Sequence, residues 1–397
     1  MVKQWIQRAL EPKIRDAIKK RNGVLLLGPR QTGKTSLLER FEFDLEIQLL
    51  RPRVRLSYEK DPEALIDEVE AYSKKSHKVP LVLIDEIQKV PGLLDPIQFL
   101  TDKKKATFFL TGSSARKLKF HAQEINFLPG RVLLYRLDPL SFTEYNDAKI
   151  EDLLTYGSLP AVLLAEQNLD REELLRTYVE TYLEEEVRKE ALVRKIDIFA
   201  RFLELAAIDS GRISSFSQIS QQLGVAHTTI ASHYQILEDC LIAEKIEAFS
   251  QSTSRKKLMK SPKYLFFDLG VRRIAAGEGI QPTPERYGEW FEQWVGLELL
   301  RMARHSPDCK VMYWRDPDGP EVDWLFKKGS KWIPIEVKWT DHPIPSHAKH
   351  LETFIEEYPR LAKEGIVVCR VPKRRKLSEN VIAVPWNEFL QTIGDSD

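Results

Sequence analysis

Apolar residues follow two patterns along the chain. Over residues 1–149, short aliphatic runs at 24–27, 53–56, 81–84, 107–110 and 132–137 recur between longer helical stretches. Five such runs predict five strands of a parallel sheet covered by helices. From 150 to 208 the strand signal stops. The stretch 171–188, REELLRTYVETYLEEEVR, has helical spacing and strong helix formers, which predicts a helical lid or connector. Residues 209–279 read as short helices followed by a basic loop and a strand. Residues 280–397 open on a helix, pass through three strands, then alternate helix and strand. The fold class expected is α/β, in four parts with boundaries at 149, 208 and 279.

Length agrees with several parts, because 397 residues exceed one ordinary core. Hydrophobic residues make up 43% and charged residues 30%, a soluble globular balance. A formal net charge of +1 means no global field draws the chain to nucleic acid, so any such surface is a local patch. Three cysteines, Cys240, Cys309 and Cys369, lie far apart without CxxC spacing. That argues against a disulfide framework or zinc site and fits a reducing cytoplasm. No apolar run reaches the ~20 residues of a membrane helix, and MVKQWIQRAL is too polar for a signal peptide.

Chemistry enters at residues 28–35. Gly28-Pro29-Arg30-Gln31-Thr32-Gly33-Lys34-Thr35 is the complete GxxxxGK[ST] pattern, between the run VLLL and the helix-like SLLERF that opens at Ser36. Glycines let consecutive backbone N–H groups turn toward phosphates. Lys34 brings positive charge to the β- and γ-phosphates, and Thr35 a hydroxyl to Mg²⁺. The helix start favours an anion. The run 81–84 ends in Asp85-Glu86. Asp85 is expected at Mg²⁺ and Glu86 at the attacking water. The run 107–110 leads into Thr111-Gly112-Ser113, where Thr111 or Ser113 can sense the γ-phosphate. Arg131, opening the run 132–137, is read as the arginine that approaches the phosphates of its own or a neighbouring subunit. ATP and Mg²⁺ are the expected ligands, and ATP hydrolysis the expected reaction.

Residues 213–245 carry apolar positions Ile219, Leu223, Val225, Ile230, Tyr234 and Leu237 around a Gly224 turn, the helix-turn-helix pattern. Thr228 and Thr229, with His227, Ser232 and His233, occupy polar positions of the second helix. Arg255, Lys256, Lys257, Lys260 and Lys263 follow in the stretch 251–267, which has no acids and reads as a cationic hairpin suited to a DNA backbone. This is a winged-helix reading, with a protein-interaction role as its alternative.

Near the C-terminus, Glu292 sits in a helical segment, Asp323 in Glu321-Val322-Asp323, and Glu336 and Lys338 in Pro334-Ile335-Glu336-Val337-Lys338. Glu336 and Lys338 share a strand face, with Ile335, Val337 and Trp339 on the other. Asp323 and Glu336 are expected to hold Mg²⁺ or Mn²⁺, with Glu292 completing the shell, and Lys338 to act on a metal-bound water.

These segments together resemble bacterial and archaeal ATP-binding proteins that join an AAA-type ATPase domain to a PD-(D/E)XK nuclease-like domain through a winged helix. The resemblance spans nearly the whole chain. It is carried by GPRQTGKT, LVLIDEIQKV, LTGSS, LPGRV, DPLSFTEY, YGEWFEQWV, EVDW and IPIEVKW. It implies a restriction-endonuclease-like C-terminal fold, with Glu292, Asp323, Glu336 and Lys338 at the nuclease-type positions. Ser158 departs from the pattern, where the family usually has glycine. The leading functional expectation is a DNA-binding or DNA-processing ATPase working as a homo-oligomeric ring in the cytoplasm. The alternative is a nucleotide-dependent oligomerisation switch whose C-terminal domain binds without cutting.

Overall fold

The structure, a computed structural model, describes residues 5–114, 130–183, 196–250, 261–316 and 319–395. Strands β1 (Gly23–Leu27), β2 (Leu45–Gln48), β3 (Leu81–Asp85), β4 (Thr107–Gly112) and β5 (Val132–Arg136) form an all-parallel sheet in the order β2-β3-β4-β1-β5. Both faces are covered, and alternate residues of one strand serve different cores. Leu25 and Leu27 pack with Val82, Ile84 and Ile97 on one face. Val24 and Leu26 pack with Ile14, Leu37 and Phe109 on the other. Two-sided burial is why these strands read as unbroken apolar runs.

One expected strand is a helix. Residues 53–56 lie within the helix Pro52–Lys60, whose proline stands in its first turn. Proline's fixed φ and missing N–H suit that place. Tyr58 is buried while Leu56 is 49% exposed, a one-sided helical pattern. The fifth strand is instead β2, LEIQ, an edge strand in which only Ile47 is buried. With one buried residue it carries no apolar run to be read.

Helices Ile150–Tyr156, Pro160–Leu163 and Asn168–Thr177 follow, the last passing into π-helical turns at Tyr178–Leu183. The helix Ile196–Ile208 sits in the part expected as lid, yet its Phe199, Phe202 and Ala206 share a core with Ile219, Ile230 and Tyr234. It is the first helix of a three-helix unit with Phe216–Leu223 and His227–Asp239. The unit closes with the antiparallel pair β6 (Ala243–Ile246) and β7 (Lys263–Phe266).

The C-terminal sheet is mixed. Strands β8 (Cys309–Arg315), β9 (Glu321–Lys328), β10 (Lys331–Val337), β11 (Gly365–Cys369), β12 (Arg375–Lys376) and β13 (Val381–Pro385) lie in the order β12-β13-β11-β10-β9-β8. The helix Pro284–Ala303 packs on one face, with Ile335 and Val337 buried against its Trp290 and Phe291 and Trp339 at the margin. Its Gly296 is required there, because a Cβ would lie 2.5 Å from the Trp324 ring. The helix Lys349–Glu357 covers the other face.

The segment 138–145 fastens the two sheets together. Leu140 belongs to the C-terminal core, with Phe142 packed against it. The Phe142 N–H donates to Glu298 at 3.0 Å.

Candidate functional site

The loop after β1 carries Gly28 through Thr35, and Ser36 lies within the helix Lys34–Leu38. Gly33 has φ 93°, the left-handed region open to glycine at low cost. A Cβ on Gly28 would meet the Leu137 carbonyl oxygen at 2.4 Å, so the residue just after β5 also demands glycine. Thr32 is fully buried, and its hydroxyl donates to the Pro29 carbonyl at 2.9 Å. The Lys34 ammonium donates to the carbonyls of Gly28 at 2.6 Å and Pro29 at 2.8 Å, so it is folded over the loop. Arg30 and Ser36 are partly exposed and Thr35 is exposed.

Asp85 ends β3 beside this loop. The Thr111 hydroxyl donates to Asp85 Oδ1 at 2.5 Å and accepts the Glu86 N–H at 3.1 Å. Burial pushes Asp85 above the ordinary carboxylate range and the neighbouring Glu86 charge adds to this, while the Thr111 hydrogen bond and the Lys34 charge oppose it. Glu86 has φ 61° and ψ 48°, a left-handed turn that directs its side chain off the strand. Ser113 Oγ donates to Glu86 Oε2 at 3.0 Å. Gln88 Nε2 donates to the same oxygen and to Ser113 Oγ, the latter at 3.1 Å. Thr111 therefore serves Asp85, and Ser113 serves Glu86. Gln88 was not anticipated. Its place two residues past the acidic pair, in the turn Ile87–Lys89, is the only local signal.

Arg131 lies at the wrong end of its own sheet. Val132 pairs with Gly23 at the start of parallel β1, whereas the loop follows its end at Leu27. Arg131 instead pairs with Asp102 at 2.6 and 3.0 Å. A cofactor contact with its own subunit's loop is excluded by this geometry.

Arg8, also unanticipated, joins the loop to the rest of the molecule. It donates to the Thr32 carbonyl at 2.7 Å and the Asp138 carbonyl at 2.7 Å, and pairs with Glu144 at 3.1 Å. Asp138 in turn pairs with Arg136 at 3.1 Å and Arg304 at 2.5 Å. Burial alone would raise Asp138, but Arg304, Arg136 and Arg301 hold it below the ordinary range. Ser158 is equally structural. Its N–H donates to Asp268 at 2.7 Å and its hydroxyl accepts from Arg301 at 3.0 Å.

On the helix His227–Asp239, Thr228 and Ser232 are exposed and Thr229 is partly so. His233 is not on the polar face. It is buried against Phe199 and Phe202, with ring centroids 5.0 and 5.1 Å away, and burial lowers its pKa. The helix contains no lysine or arginine. Arg255, Lys256 and Lys257 lie outside the described residues.

At the C-terminal sheet, Ile335 pairs with Trp324, which sets Asp323 beside Glu336 at the next step. Asp323 Oδ2 accepts the Val337 N–H at 2.8 Å. The Lys338 ammonium donates to Glu336 Oε1 at 2.7 Å, while Glu336 Oε2 is buried and has no hydrogen-bond partner. Burial raises Glu336 and Asp323 above the ordinary range, and Asp323 further raises Glu336. Glu292 is raised by burial and by Asp323, but its carboxylate is engaged by Lys263 at 3.2 Å. Among the described residues no three His, Cys, Asp or Glu side chains are grouped so as to hold a metal ion. The expected three-carboxylate shell is therefore not assembled, and Glu292 is an ion-pair partner here. The pair Asp323 and Glu336, with an orphaned buried oxygen, does fit a cation.

Residues 20–146 match a protein family described as an AAA domain. Residues 147–281 and 287–389 match two domains of unknown function, DUF8612 and DUF4143. Uncharacterized proteins of Mycobacterium tuberculosis and Mycobacterium bovis are each 26% identical over 390 residues, covering 97% of this chain and 85% of theirs. An uncharacterized protein of Methanocaldococcus jannaschii is 25% identical over 425 residues, covering 94% and 85%. Among solved structures, AMPPCP-bound DnaA from Aquifex aeolicus overlaps 59% of this chain and 89% of its own, with 14% identity and a TM-score of 0.24. The Bacillus subtilis DNA clamp loader delta protein overlaps 72% and 99%, with 13% identity and a TM-score of 0.24. TM-scores of that size leave the fold resting on the chain's own sheet order. The AAA-domain match, lying over the loop and both acids, supports ATP binding and hydrolysis by the N-terminal unit. No helix among the described residues is long and apolar enough to cross a membrane.

Proposed function

We propose that this chain is a cytoplasmic ATPase that acts on DNA as a homo-oligomer, with a metal-holding C-terminal site. The observation that carries the ATPase reading is the clustering of Lys34, Asp85 and Glu86 at the ends of β1 and β3, with each acid held by its own hydroxyl. Lys34 leaves the Gly28 and Pro29 carbonyls to neutralise the β- and γ-phosphates. Thr35 and Asp85 hold Mg²⁺, which when bound offsets charge on the phosphate oxygens. Glu86, aimed by Ser113 and Gln88, accepts the proton of the attacking water. The loop backbone from Gly28 to Ser36 cradles the phosphates.

For DNA, the support is the helix-turn-helix followed by the paired strands β6 and β7, with Thr228 and Thr229 presented outward and the cations of Arg255, Lys256 and Lys257 between the strands in sequence. At the C-terminal site Asp323 and Glu336 hold Mg²⁺ or Mn²⁺, and Lys338 orients a water for attack on a phosphodiester. The domain limits proposed are 1–149, 150–208, 209–279 and 280–397, with Ile196–Ile208 grouped by its core with the third.

A specific observation favours a second reading. The exposed helix of the helix-turn-helix has no cation, and phosphate neutralisation supplies most non-specific DNA affinity. In that reading ATP governs assembly and the helix-turn-helix contacts protein. ATPase rates of purified protein with and without single-stranded, duplex and branched DNA separate the two. Stimulation by DNA is expected. A rate indifferent to all three would leave the switch.

A further inference from the structure

The strongest unexplained group in the molecule is a buried lysine that belongs to one unit and is neutralised by another. Lys263 opens β7, beside the helix-turn-helix, yet its ammonium lies 3.2 Å from Glu292 and 3.0 Å from Glu321 of the C-terminal unit. It is 2% exposed. Its ammonium also sits 5.1 Å from the Tyr313 ring centroid and 5.3 Å from that of Trp324. Desolvating an ammonium this fully is unfavourable without fixed anions, and here the anions are the neighbours of Asp323 and Glu336. Arg315, half exposed, makes a longer contact to Glu321 at 3.8 Å. Among the described residues, the carboxylates of Glu292, Glu321, Asp323 and Glu336 thus share the close ammonium groups of Lys263 and Lys338.

The backbone holds this insertion in place from both sides. The Phe249 N–H donates to the Tyr313 carbonyl at 2.7 Å, and the Tyr313 N–H donates to the Glu247 carbonyl at 3.3 Å. The Tyr313 hydroxyl donates to the Ser261 carbonyl. The two legs of the β6–β7 hairpin are therefore clamped to β8, beside the carboxylates.

We propose that Lys263 is a built-in cation that competes with a divalent ion for the C-terminal carboxylates, so that insertion of its ammonium sets whether that site takes metal. This rests on the reading of Asp323 and Glu336 as metal-holding. While Lys263 is inserted, Glu292 is engaged and the site offers the Asp323 and Glu336 pair. When Lys263 withdraws, Glu292 is released to complete a three-carboxylate shell around the orphaned Glu336 oxygen. Lys263 acts through Glu292 and is a positioning residue.

The test is Mn²⁺ binding to the full-length protein without nucleotide, read by the loss of free-Mn²⁺ electron paramagnetic resonance signal. Binding at this site is taken as the part removed by Asp323→Ala. Lys263→Met, which keeps the stem and removes the charge, is expected to tighten it by at least about tenfold, since a unit charge in contact with a ligand carboxylate is lost. Acylation of Lys263 in the wild-type protein, followed by mass spectrometry, gives a second readout that needs no variant to fold. Lys263 is expected to be protected in chelator and labelled faster in saturating Mn²⁺. Equal Mn²⁺ affinity in wild type and Lys263→Met, or Mn²⁺ binding that leaves Lys263 protected, overturns the competition while the metal site stands. Absence of Asp323-dependent binding in both proteins overturns the metal site and the competition with it.

Discussion

Replacing Gln88 by leucine tests whether Glu86 is a positioned base or an incidental strand-end acid. Gln88 is 3% exposed and donates from Nε2 to Glu86 Oε2 and to Ser113 Oγ. Its Oε1 is buried without a partner and faces Gly112, where a Cβ would come within 2.8 Å of it. Leucine keeps the volume and removes both the orphaned oxygen and the donor. Glu86 then keeps only the Ser113 hydroxyl at 3.0 Å and a φ of 61° that does not by itself fix the side chain. A hydrogen bond to a charged group contributes about 1.5–3 kcal/mol. If that energy serves to hold the carboxylate in its working geometry, kcat falls by about one to two orders of magnitude. KM for ATP is expected to stay near wild type, because Gln88 bonds the acid and not the phosphate loop. Ser113→Ala should act in the same direction. The double variant should fall short of the summed losses, since both groups bond one oxygen and each other. The assay is steady-state ATP hydrolysis over a range of ATP at fixed Mg²⁺, with urea unfolding to verify the fold. An unchanged kcat in a folded Gln88→Leu protein, or a raised KM with kcat intact, would refute the role given to Glu86.

Lys34→Ala is expected to lower kcat by roughly two to three orders of magnitude, as for loss of one preorganised donor worth ~3–4 kcal/mol, and a wild-type rate would remove the ATPase reading. Asp138→Asn breaks a buried contact with Arg136 and Arg304 and should cost about 3–5 kcal/mol at pH 7 by denaturant unfolding. Because Asp138 is held below the ordinary carboxylate range, its contribution is complete above that range and is lost as pH falls through the lowered value. The difference between wild type and Asp138→Asn should therefore shrink as pH falls below the ordinary carboxylate range, and a pH-independent difference would contradict the ion-pair account. Changing Arg255, Lys256 and Lys257 together to glutamate should weaken DNA binding at every sequence and flatten its salt dependence, by about 0.9 in log–log slope per lost duplex phosphate contact. An unaltered slope would place DNA elsewhere, for instance at the exposed run Lys373-Arg374-Arg375-Lys376.

The chain by itself determined those features whose physics is local. A phosphate loop is built from consecutive residues, so Gly28 to Thr35 declares itself, and a buried parallel strand ending in Asp85-Glu86 does the same. Alternation along a strand was enough to pair Glu336 with Lys338. The reading of Arg131 failed on strand direction, because residues before a parallel strand lie at the opposite end from a loop that follows its neighbour, and the pairing of Val132 with Gly23 shows this. Tertiary structure decided what depends on partners distant in sequence. Whether 53–56 became strand or helix turned on Pro52 and on Tyr58 reaching the core, and LEIQ became a strand only by pairing with β3. His233 turned inward because the helix Ile196–Ile208 offered Phe199 and Phe202. Arg8 contacts Asp138 and Glu144 from more than a hundred positions away, and Lys263 enters a carboxylate cluster spread from Glu292 to Glu336. A buried charge goes where compensating charge exists, and that location is a property of the packed molecule that no spacing along the chain encodes.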